Sequence, residues 1–226
     1  MSRSKPPYAD VTVLSTLALK GALESAAPGL RAEFHATQAL LKSIADGAVA
    51  DVVILTKEGI DHLVKDGHAD PATRIELGRS GVGLAVKAGA ARPKIGTWDE
   101  LKQTLLSAQS VGHSKQGASG LYFAGLLEKH GLANQLKKRV IVEKGPVAAG
   151  IAKGEIQLGA QLLCELAPVA GIDIIGPLPK EVQTYYSFSA AVMKSSRNPK
   201  AAKAFLDFMR TEPVRAAMKQ NLIEPG

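Results

Sequence analysis

The sequence is poor in the residue types that announce most kinds of chemistry. There is one cysteine, Cys164, in 226 residues, which excludes an intramolecular disulfide and any multi-cysteine metal centre. It lies in the apolar run LGAQLLCELAPV and is expected in the core, so it does not report the redox compartment. Aromatic residues make up only 4%, which argues against a site built on stacking with nucleobases or sugar rings. No segment approaches the roughly 20 apolar residues that span a bilayer, so no membrane insertion is expected. His35, His62, His68 and His130 show no metal-ligand spacing with one another. There is no P-loop and no G-x-S-x-G elbow. Neither a metal nor a cofactor is expected. The N-terminal stretch MSRSKPPYADVTV lacks the apolar stretch of a secretory signal. The expected compartment is the periplasm if the chain is a mature form and the cytoplasm otherwise.

What is present is a basic, otherwise ordinary soluble composition. Hydrophobic residues are 46%, charged residues 22%, and the formal net charge is +7. The length allows one or two domains with a sizeable core. A basic balance favours anionic partners. Nucleic acid is not expected, because the basic residues are dispersed. The densest run, Lys137-Lys138-Arg139, reads as a solvated helix end.

Strand and helix signals alternate almost throughout, which predicts an α/β fold with largely parallel strands. Strands are predicted at Val11–Leu14, Arg31–Phe34, Asp51–Leu55, Ser110–His113, Val140–Val142, Gln157–Gln161 and Ile172–Ile174. Helices are predicted at Leu17–Ala26, Thr37–Asp46, Glu58–Lys65, Ala118–His130, Pro146–Lys153 and Asn198–Arg210, with a last one ending near Lys219. Ser15 and Thr16 are placed to cap the first helix. Thr97-Trp98-Asp99-Glu100 is a capping-box signature for a helix to about Ser107. The GVGLAV pattern at 81–86 is half a dinucleotide fingerprint, but extended chain follows where that fingerprint needs a helix.

Two long extended runs, Ile75–Lys87 and Tyr185–Met193, separate three blocks of α/β signal. If both cross between lobes, the chain forms a two-lobed clamshell with a ligand cleft. One lobe is residues 1–82 with 190–226, and the other is 83–189. The crossings are expected near Gly81–Val86 and Ser187–Ala191.

The stretch HSKQGASGLYF, His113 to Phe123, is stripped of bulk where a helix begins. A tight turn would account for it. So would an anion held on the free N–H groups of the helix, with Gly117 and Gly120 giving room and Ser119 a hydroxyl donor.

Four stretches of the chain resemble a known family. They are TLALKGALESAAPGL, FHATQALLKSIADGAVADVVILTKEGIDHLVKDG, SKQGASGLYFAGLLEKHGL, and the C-terminal tract from IGPLPKEVQTYYSFSAAV to the end. Together they are similar to the extracytoplasmic solute-binding proteins of ABC transporters, in the molybdate-binding-protein-like branch. The resemblance covers nearly the whole chain and implies the type II periplasmic-binding-protein fold. It also implies a small anionic ligand held by hydroxyls and helix N-termini, a monomeric protein, and a membrane permease as a partner. Carried over by motif, the ligand-facing residues are Ser15, Thr16, Thr37, Gln38, Ser114, Ala118, Ser119, Gly120, Pro146, Val147 and Gln161. Two departures stand out. Ala36-Thr37-Gln38 replaces a serine pair, and Gln161 lies near where molybdate binders place a tyrosine. Both are consistent with a cage remodelled from a tetrahedral oxyanion to a carboxylate.

The same branch has members that resemble aconitate isomerases, which move a proton allylically on a tricarboxylate. Such chemistry needs an acid and a base near the bound anion. Lys20, His113, Tyr122 and Glu165 are the candidates. For three of them a bland role competes: a solvated lysine, a satisfied structural histidine and a paired, partly buried acid. A regulatory ligand-binding domain is the third class, but no DNA-binding helix pair precedes it.

Overall fold

The computed structural model describes residues 6–226. The first five residues of the stretch inspected for a secretory signal lie outside the described residues. In chain order the elements are β1 (Thr12–Thr16), α1 (Lys20–Ala26), β2 (Arg31–His35), α2 (Thr37–Ala45), β3 (Val52–Thr56), α3 (Lys57–Lys65) and the long β4 (Ile75–Lys87). There follow α4 (Trp98–Ser107), β5 (Val111–Ser114), α5 (Ala118–Lys129), β6 (Arg139–Val142), α6 (Val147–Lys153), β7 (Leu158–Leu162), α7 (Leu163–Leu166) and β8 (Ile172–Pro177). The chain ends with β9 (Tyr185–Val192), α8 (Pro199–Met209), α9 (Glu212–Gln220) and β10 (Glu224–Pro225).

The described chain divides into two units. The first runs to Arg79 and resumes with Tyr186–Gly226; the second is Ser80–Tyr185. Strands β4 and β9 carry the chain from one to the other.

In the first unit β1 lies between β2 and β3, parallel to both, and β9 runs antiparallel to β3. The two-residue strand β10 pairs with the start of β4, Glu224 opposite Arg79. Strand β3 is an unbroken apolar run, VVIL, buried on both faces as a strand interior to a covered sheet requires. Leu40 and Ile44 of α2 and Ile60 and Leu63 of α3 pack against it with Leu14 and Val53. Each such side chain contributes about 1.5–3 kcal/mol when removed from water.

The GAVADV segment at 47–52, part of the second stretch that carries the family resemblance, has a structural explanation in this unit. Asp51 sits at the amino ends of β1 and β3. Its carboxylate accepts from the Thr12 N–H at 2.9 Å, the Thr12 hydroxyl at 2.8 Å, the Ser196 hydroxyl at 2.7 Å and the Asn198 N–H at 3.3 Å. One side chain thus ties two strands to the segment entering α8. Asn198 in turn caps α8, accepting from the Ala201 N–H, with Pro199 at the first position.

In the second unit β5 lies between β6 and β7 and is parallel to both. Strand β4 closes the sheet antiparallel to β7 and β8. The capping box is present: Thr97 accepts from the Glu100 N–H, and the Glu100 carboxylate accepts from the Thr97 N–H. Gly83 explains the GVGLAV pattern, since a β-carbon there would overlap Leu163 and the Gly176 carbonyl. Close packing, not a phosphate, requires the glycine.

The first helix departs from expectation. Leu17–Leu19 is a tight 3₁₀ turn, and the α-helix starts at Lys20. Neither hydroxyl caps it. Ser15 is fully buried and donates to the Thr16 carbonyl at 3.0 Å, and Thr16 makes no side-chain capping bond. Uncapped N–H groups at a helix start favour this tighter winding.

Candidate functional site

Parallel strands leave all their carboxyl ends on one edge of a sheet, and in open α/β sheets ligands sit at that edge. In the first unit the edge is formed by the ends of β1, β2 and β3, at Thr16, His35 and Thr56. Helices α2 and α3 begin there, at Thr37 and Lys57. Thr16 is buried, Thr37 half-buried and Gln38 exposed. None of their side chains hydrogen-bonds to another described residue. Thr37 is oriented by packing, because its methyl group lies where a β-carbon on Gly59 would fall. Ser15 is spent on the Thr16 carbonyl. Thr56, absent from the sequence-derived set, occupies the equivalent place after β3, but its hydroxyl accepts from the Gly59 N–H and caps α3. Lys20 is exposed and pairs with Glu24 at 3.8 Å.

In the second unit the edge is formed by the ends of β5, β6 and β7, where α5, α6 and α7 begin. Helix α5 starts at Ala118 with Gly117 before it and no side-chain cap. Its first-turn N–H groups at Ser119 and Gly120 lack intrahelical partners by geometry. Ser119 is buried and Ser114 half-buried, and neither hydroxyl bonds to another described residue. The bulk missing from this loop has an internal cause. A β-carbon on Gly120 would overlap the carbonyl and hydroxyl of Ser114, and one on Gly117 would lie 2.6 Å from the same hydroxyl.

The start of α6 differs from the sequence reading. Pro146 is the residue before the helix, not its first, and it has no N–H to offer. Val147 is buried. The Ala148 N–H donates to the Gln161 Oε1 at 3.1 Å. Gln161 therefore serves this helix start from within, and its Nε2 donates to the Glu165 Oε2 at 2.7 Å. Burial pushes the Glu165 carboxyl above the usual carboxylate range, with the Gln161 bond working the other way. The neighbouring Cys164 is buried, its thiol raised by burial and by Glu165, and its N–H donates to Ser80 at 3.2 Å.

Two proton-transfer candidates are spent on structure. His113 is buried, with Nδ1 on the Ser114 carbonyl at 3.0 Å and Nε2 accepting from Arg139 Nε at 2.9 Å. Burial lowers its pKa, and the Arg139 charge adds to that while the Ser114 bond opposes it. Arg139, read as part of a solvated charge run, is instead half-buried, holding His113 and pairing with Glu128 at 3.0 Å. Nothing in the spacing of KKR could have shown that. Tyr122 donates to the Val182 carbonyl at 2.7 Å, and burial raises its pKa. Glu165 is half-buried, and among the described residues its side chain bonds only to the Gln161 amide.

Among the described residues no group of three His, Cys, Asp or Glu side chains is placed to hold a metal ion. No helix among them is long and apolar enough to cross a membrane. A shallow groove in the second unit, lined by Lys94, Gly96, Glu100, Gly176, Leu178 and Lys180, includes none of the residues above.

A mixed α/β fold in two units, with hydroxyls and helix starts gathered at strand ends, is the type II periplasmic-binding-protein fold. The chain belongs to the bacterial extracellular solute-binding protein family, which it matches over residues 24–221. It is 33% identical to an aconitate isomerase from a Pseudomonas species, over 97% of this chain and 89% of that protein. Among solved structures it is similar to the periplasmic molybdate-binding protein of Azotobacter vinelandii. The TM-score is 0.74 at 19% identity, covering 95% of this chain and 98% of that one. It is also similar to a sulfate-binding protein of Mycobacterium tuberculosis, with a TM-score of 0.67 at 18% identity, covering 95% and 86%.

Proposed function

We propose that this protein captures a small carboxylate-bearing anion and hands it to a membrane permease, acting as a monomer outside the cytoplasmic membrane. The observation that carries this is the set of unspent hydroxyls at parallel-strand ends: Thr16, Thr37, Ser114 and Ser119. No lysine or arginine is buried among the described residues. Neutral donors and helix starts can hold a small anion without a buried cation. Gln38, Ala118, Gly120, Pro146 and Val147 complete the contact set, with Gln161 positioning rather than binding. A carboxylate is favoured over molybdate because identity is 33% to the isomerase but 19% to the molybdate binder. The departures at Ala36-Thr37-Gln38 and Gln161 point the same way.

A thermal-shift and calorimetry panel of cis-aconitate, trans-aconitate, citrate, malate, molybdate and sulfate tests this. A ligand at 100 times its Kd adds about 2.7 kcal/mol of stability. Carboxylates should raise the melting temperature. A shift with molybdate or sulfate alone overturns the carboxylate assignment, and no shift with any probe overturns anion capture.

The second reading is isomerisation, favoured by the identity to an aconitate isomerase. In that reaction a proton leaves one end of an allylic system, the double bond shifts, and a proton arrives at the other end. Proton NMR of cis-aconitate with the protein in heavy water distinguishes the readings. An enzyme forms the trans isomer and incorporates deuterium; a pure binder does neither.

A further inference from the structure

We propose that Glu165 is a specificity-determining residue of this site: oriented by Gln161, its carboxyl donates a hydrogen bond to an oxygen of the bound anion. The inference rests on the anion-capture reading above. It begins with Ala148, whose backbone N–H can only donate. The Gln161 atom 3.1 Å from it must therefore be the amide oxygen. That leaves the Gln161 NH₂ facing the Glu165 Oε2 at 2.7 Å, and the amide cannot be turned over without setting donor against donor. Oε2 is thus an acceptor. A proton on Glu165 must sit on Oε1, which bonds to no other described residue.

The surroundings favour that proton. Glu165 is half-buried; desolvation opposes its ionised form more than the Gln161 bond favours it, and no cation among the described residues offsets that. Strand β7, packed against α7, presents Gln161 and no titratable side chain. On β8, Asp173 is occupied by the Gly89 N–H at 3.0 Å. On α7 itself the only other titratable group is Cys164, whose thiol is raised and stays neutral. Helix α7 begins at the carboxyl end of β7, the same edge at which α5 begins.

A neutral carboxyl is a donor matched to an acceptor-only anion, whereas an ionised one repels it. Gln161 therefore decides which Glu165 oxygen carries the donor, and Glu165 converts an acidic position into an anion contact. Affinity should fall as pH rises and Glu165 loses its proton.

Calorimetric titration of trans-aconitate from about pH 5.5 to about pH 8.5 tests this on the wild type and on Glu165→Gln. Glutamine keeps an acceptor for Gln161 and a donor for the anion but cannot ionise. The wild type should lose about tenfold or more in affinity across the range, and E165Q should lose distinctly less. Ionisation of the ligand is common to both, so the difference in slope isolates Glu165. Equal slopes overturn this inference and leave anion capture standing. A wild type that binds no probe anion at any pH overturns both. Carboxyl carbon NMR of Glu165 in the unmodified protein is independent of any variant's folding. A raised midpoint supports the inference, and an ordinary carboxylate midpoint overturns it.

Discussion

Ser114 and Gly120 touch across the turn between β5 and α5, the serine's carbonyl and hydroxyl filling the space a Gly120 β-carbon would need. The first turn of α5 can follow β5 so closely only because position 120 has no side chain. We predict that Gly120→Ala destabilises the protein by about 1–3 kcal/mol through overpacking. Urea denaturation of the ligand-free protein checks this, and an unchanged midpoint would refute it.

Ser119 has a different role on the same turn. It is buried at the helix start, yet its hydroxyl has no partner among the described residues. We predict that Ser119→Ala weakens anion binding by about 1–2 kcal/mol, the loss of one hydrogen bond to a charged partner. Stability should change by less than about 0.5 kcal/mol. Calorimetry with the tightest anion of the panel, beside a melting curve, separates the two effects. Wild-type affinity in the variant would remove Ser119 from the site.

Asp51 is predicted to govern acid stability. Burial alone would raise its pKa, but the bonds from Thr12, Ser196 and Asn198 outweigh burial and lower it. A lowered folded-state pKa means the unfolded chain binds the proton more readily. The stabilisation is therefore fully present above the unfolded value of about 3.9 and is lost as pH falls through the folded value. Asp51→Asn should cost about 2–3 kcal/mol near neutral pH, since it replaces charge-assisted bonds with weaker or mismatched ones. It should also flatten the loss of stability in acid. Equal acid midpoints for the two proteins would contradict the assignment.

The α/β alternation, the buried strand DVVIL, the capping box of α4 and the apolar stripe of α8 were all legible from local periodicity and cap chemistry. Those signals act within a few residues, and chain order carries them. Short elements were not legible. Glu224–Pro225 is too brief to show a period, and the four-residue α7 lies in a run, LGAQLLCEL, that is apolar whichever way it winds. The solute-binding fold followed from motifs spread along almost the whole chain. The division of labour among polar residues did not. Gln161 reads as a ligand contact until Ala148 claims its oxygen. His113 reads as an acid or base until Arg139 and the Ser114 carbonyl take both nitrogens. Gly120 reads as room for an anion until Ser114 fills it. Sequence order determines which donors and acceptors the protein owns and which strand end each one follows. Whether a donor is spent on the protein or left for a ligand depends on which groups folding brings within about 3 Å of it. Those partners can lie 26 residues away in the chain, as Arg139 does from His113, or 60, as Val182 does from Tyr122, and only the tertiary structure chooses them.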